Sequence, residues 1–236
     1  MSELLINDLQ IPYQIQKGKK GRISLKIKDG KLWITTESGR LQTADSEFLK
    51  KKEKWVYKHF LEQQKKEISR KKFLELLPSQ ILWQGQLVAI DWKIGKKNIY
   101  QLRTDKFFEV YTTQELSYTE KKRAIKEILK IEASRYLKAR LTNIASLLQL
   151  KVERVSIKAQ KSKWGSCSSK RNINLNWHLA LLPPILIEYV IYHELLHLQE
   201  ANHSEQFWKL VEKYVPNYKV LDKQLSEYEW VIGILD

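Results

Sequence analysis

The sequence predicts an α+β chain, a β-rich N-terminal lobe packed on a mainly helical catalytic lobe with a short β-sheet. Three observations carry this. Apolar and polar residues alternate over positions 11–16, 22–28 and 32–36, the period-two pattern of half-buried strands. Positions 117–150 hold apolar residues at helical spacing for far longer than a strand could run. His193-Glu194-Leu195-Leu196-His197 then follows an apolar run at 185–192 that suits a buried helix. The expected division is a basic lobe with one helix over 1–115 and a second lobe over 116–236.

Taken in order, Asp29-Gly30 between two alternating runs reads as a hairpin turn. Phe48, Leu49, Trp55, Val56, Phe60 and Leu61 lay a helical stripe beneath dense charge over 46–68. Gly85 and Gly95 punctuate short strands between 81 and 111. The helix over 117–150 is expected to break near Thr142-Asn143. Strands are expected at 152–159 and 172–176. Pro183-Pro184 ends that segment, and Pro184 suits the first turn of the next helix. A helix over 204–215 ends at Pro216-Asn217, and a last one covers 221–234. No internal repeat or low-complexity linker is visible.

Composition bounds the setting. The chain has 236 residues, 43% of them hydrophobic, enough for a substantial core. Its single cysteine, Cys167, excludes an intramolecular disulfide and suits a reducing compartment. Positions 1–20 lack an apolar h-region and a small-residue cleavage site, and no run approaches the ~18 apolar residues of a membrane span. A cytoplasmic protein without a membrane partner is expected. The net charge of +15 is uneven: positions 1–150 hold 31 Lys and Arg against 17 Asp and Glu, whereas 151–236 hold 11 against 10. The densest clusters are 17–22 and Lys50-Lys51-Lys52. Such a half attracts nucleic acid or another polyanion, although a Lys-rich solvated face explains the charge equally well without a nucleic-acid motif.

The chemistry concentrates in the histidines. Residues four apart share a helix face, so His193 and His197 can offer two imidazoles to one ion while Glu194 stands beside them without binding it. Three protein ligands and one open position are how catalytic zinc is held, and one Zn²⁺ per chain is expected. His203 lies ten residues after His193, the spacing of the longer pattern H-E-x-x-H-x-x-G-x-x-H. Glu200 stands where that pattern has its glycine. Asn202 either makes the turn in a left-handed conformation or caps the next helix with Glu205 as its partner. A carboxylate, Glu227 or Glu229, is the other candidate for third ligand.

Ahead of this helix, Lys163-Trp164-Gly165-Ser166-Cys167-Ser168 links two short strands. Gly165 and Ser166 would let a substrate backbone approach closely, Trp164 would wall a pocket, and an edge strand beside the metal would hold an extended peptide. Lys163 and Arg171 are candidates for holding an anionic group. Cys167 lacks the surroundings of a nucleophile, and His178 reads as structural or as a partner to a metal ligand.

These segments together resemble the YgjP-like metallopeptidase domain family. The resemblance rests on residues 163–168, Asn174-Leu175-Asn176-Trp177, Leu181-Leu182-Pro183-Pro184, residues 189–197, Asn202-His203-Ser204 and Phe207-Trp208, and extends to Gly21-Arg22-Ile23-Ser24-Leu25-Lys26-Ile27. It implies a zincin-like catalytic domain related to SprT-type proteases, with His193, His197 and His203 as zinc ligands and Glu194 as general base.

The first expectation is therefore a zinc metallopeptidase acting on protein or peptide, in which Glu194 activates a metal-bound water. The second is metal-dependent hydrolysis of a nucleotide phosphoanhydride, with Lys163, Arg171 and the basic half holding phosphates. The third is a nucleic-acid-associated module whose zinc is structural, which gives Glu194 nothing to do.

Overall fold

The structure, a computed structural model, describes residues 2–19, 22–103 and 107–235. Lys20 and Gly21, part of the basic cluster at 17–22 and of the resembling first strand, lie outside the described residues. The chain divides into two compact units, Met1–Ser69 and Arg70–Asp236. The described elements are helices and three small sheets in the order expected of an α+β chain.

The first unit holds β1 (Ser2–Ile6), β2 (Leu9–Lys17), β3 (Ser24–Lys28) and β4 (Lys31–Thr36), followed by most of α1 (Thr43–Leu76). Its sheet has the order β1-β2-β4-β3: two antiparallel hairpins joined by a parallel β2–β4 pair. Asp29 and Gly30 both have positive φ (53° and 68°), as the I′-type hairpin requires. Ile6, Ile11, Leu32 and Ile34 face one side, where Leu49, Val56 and Phe60 of α1 cover them. The helix continues past the expected end at 68 because Phe73 is buried again, in the core of the second unit. The charged run between hides this continuation in the sequence.

The second unit opens with the same motif. β5 (Gln80–Trp83), β6 (Gln86–Ile94), β7 (Ile99–Arg103) and β8 (Phe107–Thr112) form a sheet of order β5-β6-β8-β7, again two antiparallel hairpins joined by a parallel pair, and α2 (Tyr118–Leu147) follows. The correspondence reaches individual residues. Buried Ile6, Ile11, Leu32 and Ile34 match buried Trp83, Val88, Phe108 and Val110. Gly18 N–H donates to the Thr36 carbonyl and Gly95 N–H to that of Thr112, both at 2.8 Å. The first hairpins both turn on positive-φ pairs, Asn7-Asp8 and Gln84-Gly85. The chain thus contains a repeated ββββα motif, correcting the expectation of no internal repeat. Burial pattern and turn geometry repeat while side-chain identity does not, so comparison of residues misses it.

The division expected after residue 115 falls inside this second unit, where β5–β8 and α2 share one core with the helices that follow. Ser117 caps α2 in a full capping box with Glu120. The helix is unbroken at Thr142-Asn143: both are exposed, while Leu141, Ile144 and Ala145 keep the buried stripe continuous.

Beyond α2, β9 (Arg154–Lys158), β10 (Gly165–Cys167) and β11 (Asn172–Asn176) form a sheet of order β10-β11-β9, which leaves β10 at an edge. A 3₁₀ turn (Trp177–Leu181) leads to α3 (Pro184–Leu196), with Pro184 at its start. The β5–β6 hairpin tip fixes this junction. Gln84 and Gly85 N–H groups donate to the Ala180 and Leu181 carbonyls at 2.9 Å, and a Cβ at Gly85 would fall 2.8–2.9 Å from Pro183. Glycine is required there for contact as well as for φ. An Arg140–Glu188 ion pair ties α3 to α2. α4 (Glu205–Tyr214) ends before Pro216 as expected. The last helix is shorter than expected: α5 (Tyr218–Glu227) gives way to a 3₁₀ turn (Glu229–Val231), and Gly233 at φ +74° turns the chain away.

Candidate metal centre

The centre is built on the C-terminal end of α3. Leu186, Ile187, Val190, Ile191, Leu195 and Leu196 are buried and anchor the helix in the core, which fixes the face that carries His193 and His197. The chain leaves α3 by a turn over 197–199 with no positive φ, so Asn202 is not left-handed. Nor does Asn202 cap the next helix. Ser204 does, its Oγ accepting from Phe207 N–H at 3.2 Å. Both routes expected for Asn202 are thereby corrected: the turn needs no left-handed residue, and the capping hydroxyl lies two residues further on.

The outcome brings His203 to the other two histidines. His193 Nε2 lies 3.0 Å from His203 Nε2 and 3.3 Å from His197 Nε2. Two nitrogens bound to one tetrahedral ion at zinc-like bond lengths would be about 3.3 Å apart, so the three imidazoles fit a single ion. They form a cluster that could hold a metal, and among the described residues no other group of three or more such side chains does. Neither Glu227 nor Glu229 belongs to it. The rings are backed by α4: His197 stacks on Phe207 at 4.3 Å between centroids and His203 on Trp208 at 5.6 Å. His197 Nδ1 lies 3.0 Å from the Glu200 carbonyl. A carbonyl only accepts, so Nδ1 carries the proton and the Nε2 lone pair faces the cluster. Glu200, in the glycine position of the longer pattern, thus serves through its backbone. Burial, then the charges of His197 and His203, lowers the His193 pKa to about 3, and burial lowers that of His197. Neutral imidazoles are what metal ligation needs.

Glu194 is 7% exposed. Burial raises its pKa to about 7, opposed by the positive charge of Lys163. Its carboxylate packs against Gly165, where a Cβ would fall 2.7 Å from Oε1. Of the other residues singled out in the sequence, Lys163, Trp164 and Gly165 line a cavity together with His193 and Glu194. Ser166 and Arg171 do not line it. Ser166 Oγ accepts from Asn174 Nδ2 at 3.1 Å. Arg171, at the β10–β11 turn, donates to the Lys151 carbonyl at 2.6–2.8 Å. Burial and the nearby Glu194 charge raise the Cys167 thiol pKa, which keeps it protonated.

Two polar residues support the site from behind. Asn176 is fully buried; its Nδ2 donates to the Gln160 and Lys163 carbonyls at 2.8 and 2.9 Å, pinning the chain just before β10. Its Oδ1 lies 2.8 Å from His178 Nδ1, and His178 Nε2 accepts from Gly233 N–H at 3.1 Å. His178 therefore holds the C-terminal segment rather than a metal ligand. Asn176 belongs to the Asn174-Leu175-Asn176-Trp177 element, and its role comes from complete burial, which no local sequence signal marks.

A model of the YgjP-like metallopeptidase domain matches residues 21–228. The chain belongs to that family. It is a metallopeptidase by membership, a metal-dependent hydrolase with protein or peptide as substrate, and the histidine cluster gives the family's metal a place to bind. Two solved structures are similar in part. The metallopeptidase zymogen of Pyrococcus abyssi abylysin is 25% identical, over 38% of this chain and 90% of its own, with a TM-score of 0.35. The metallopeptidase zymogen of Methanocaldococcus jannaschii jannalysin is 24% identical, over 38% of this chain and 92% of its own, with a TM-score of 0.35. No curated protein matches the chain. Among the described residues no helix is long and apolar enough to cross a membrane.

Proposed function

We propose that this YgjP-like protein is a zinc-dependent peptidase in which His193, His197 and His203 hold the ion and Glu194 is the general base. The observation that carries the reading is the convergence of three Nε2 atoms beside a buried carboxylate that shares a cavity with His193. Zinc bound there supplies Lewis acidity, polarising a carbonyl and making water more acidic. The rest falls to the chain. Burial brings Glu194 near neutrality in proton affinity, so it can accept a proton from the attacking water and return it to the leaving amine. Among the described residues β10 pairs only with β11 and packs beside α3, so its other edge can take an extended peptide as an added strand. The N-terminal excess of Lys and Arg would draw a polyanion to the same molecule. Binding to an unrelated duplex should then weaken steeply as salt rises, and affinity indifferent to salt would remove that part of the proposal.

The test of the ligand set is metal content. Purified without added metal, the wild type should carry about one zinc per chain, and His203→Ala should lose most of it, since two imidazoles leave the ion short of the three protein ligands of catalytic sites. Undiminished zinc in His203→Ala, measured by elemental analysis, would move the third ligand elsewhere.

A further inference from the structure

A cavity of about 220 Å³ adjoins the metal centre. It is smaller than the roughly 300–1,000 Å³ of whole small-molecule sites, and suits one side chain rather than a nucleotide. His193 and Glu194 line it, which places its contents next to the reacting bond. Tyr189 and Val190, one helical turn before them, continue the wall, and Leu225 of α5 shares the lining. Asp222, also on α5, completes it. Its Oδ1 accepts from Tyr189 OH at 3.1 Å, and among the described residues no Lys or Arg pairs with it. Among the described residues no donor other than Tyr189 is seen on this exposed carboxylate.

We propose that this cavity is a specificity pocket for the substrate residue adjoining the scissile bond, and that Asp222 makes it select Lys or Arg. The inference rests on the peptidase reading above. A lining that combines Trp164, Val190 and Leu225 with the Asp222 carboxylate matches a long aliphatic stem ending in a cation. The carboxyl groups of Asp222 and Glu194 both line the cavity. Among the described residues Lys163 is the only Lys or Arg in the lining, and its charge acts on Glu194. The proposed ion lies on the His193 side of the cavity, so Asp222 is the group left to receive a cationic side chain. Asp222 is itself exposed; an acidic side chain would meet its carboxylate, whereas an apolar one would make no ion pair with it. Tyr189 acts as a positioning residue, orienting the Asp222 carboxylate.

Zinc-loaded wild type, Asp222→Asn and Asp222→Lys are each given the same mixed peptide library, and cleavage sites are read by mass spectrometry. Asp222→Asn keeps an oxygen to accept from Tyr189 while removing the charge. Wild type should cut beside Lys or Arg at least ten-fold more often than beside Leu. Asp222→Asn should lose most of that preference, and Asp222→Lys should shift it toward Asp and Glu. Calorimetry gives a readout independent of turnover: Glu194→Gln protein should bind a Lys peptide at least ten-fold more tightly than its norleucine counterpart, and adding Asp222→Asn should erase the difference. Cleavage with no basic preference, or a preference unchanged in Asp222→Asn, would overturn the pocket assignment and leave the peptidase standing. No cleavage of any peptide by zinc-loaded wild type would overturn the peptidase reading and the pocket with it.

Discussion

Glu194→Gln should abolish peptide hydrolysis while leaving zinc at its wild-type stoichiometry. The two halves follow from different atoms. In the proposed site the ion is held by imidazole Nε2 atoms, and neither their convergence nor the Glu200 carbonyl that orients His197 involves the Glu194 side chain. Proton transfer in the proposed mechanism, by contrast, depends on a carboxylate whose burial lifts its pKa to about 7, close to the value at which a base both accepts and releases a proton readily. Gln has the same shape and no such capacity. Loss of a positioned acid–base group costs about 10²–10⁴-fold, so turnover should fall by at least 100-fold with little change in KM. Retained turnover at full zinc occupancy would remove Glu194 from the mechanism.

The metal helix was legible in the sequence because its physics is local. A four-residue spacing places two imidazoles on one face whatever the rest of the chain does, and Pro183-Pro184 marks where the helix must begin. His203 was legible by its separation from His193, but its route was not. Asn202 and Ser204 are both good caps, and the choice is made by Phe207 and Trp208, which must reach back to the histidine rings. Those are tertiary contacts with no sequence period. The same limit applies to Asp222. Its hydrogen bond from Tyr189 OH exists only once α5 is laid beside α3. Asn176 is the converse case, a polar residue of unremarkable sequence that burial turns into the pin of the strand before the metal helix. The repeated ββββα motif shows why fold can be harder to read than site. Trp83 can replace Ile6, and Phe108 can replace Leu32, because the sheet demands only that these positions be buried.

Gly165→Ala should lower kcat by about 100-fold through Glu194 rather than through the substrate. A methyl at Gly165 would lie 2.6 Å from Glu194 Cγ, 2.7 Å from Oε1 and 2.8 Å from Cδ, well inside contact distance, so one partner must move. The strand is the stiffer of the two. Gly165 pairs with Leu175 across the sheet, and Asn176 N–H holds the neighbouring Trp164 carbonyl at 2.8 Å. Glu194, with several rotatable bonds, gives way, and a displacement near 1 Å in a catalytic group costs about 10²-fold. Because the carboxylate leaves the surroundings that set its proton affinity, the limb of the pH–kcat profile assigned to the base should move as well. Zinc content and the unfolding transition should stay close to wild type, since the three atoms nearest the new methyl all belong to the Glu194 side chain. The sequence suggested another use for this glycine, close approach of a substrate backbone, and the two roles separate kinetically. A methyl that obstructs the substrate raises KM and spares the profile; one that displaces the base lowers kcat and shifts it. A raised KM with kcat and the pH profile intact would return Gly165 to the substrate and leave Glu194 positioned by α3 alone.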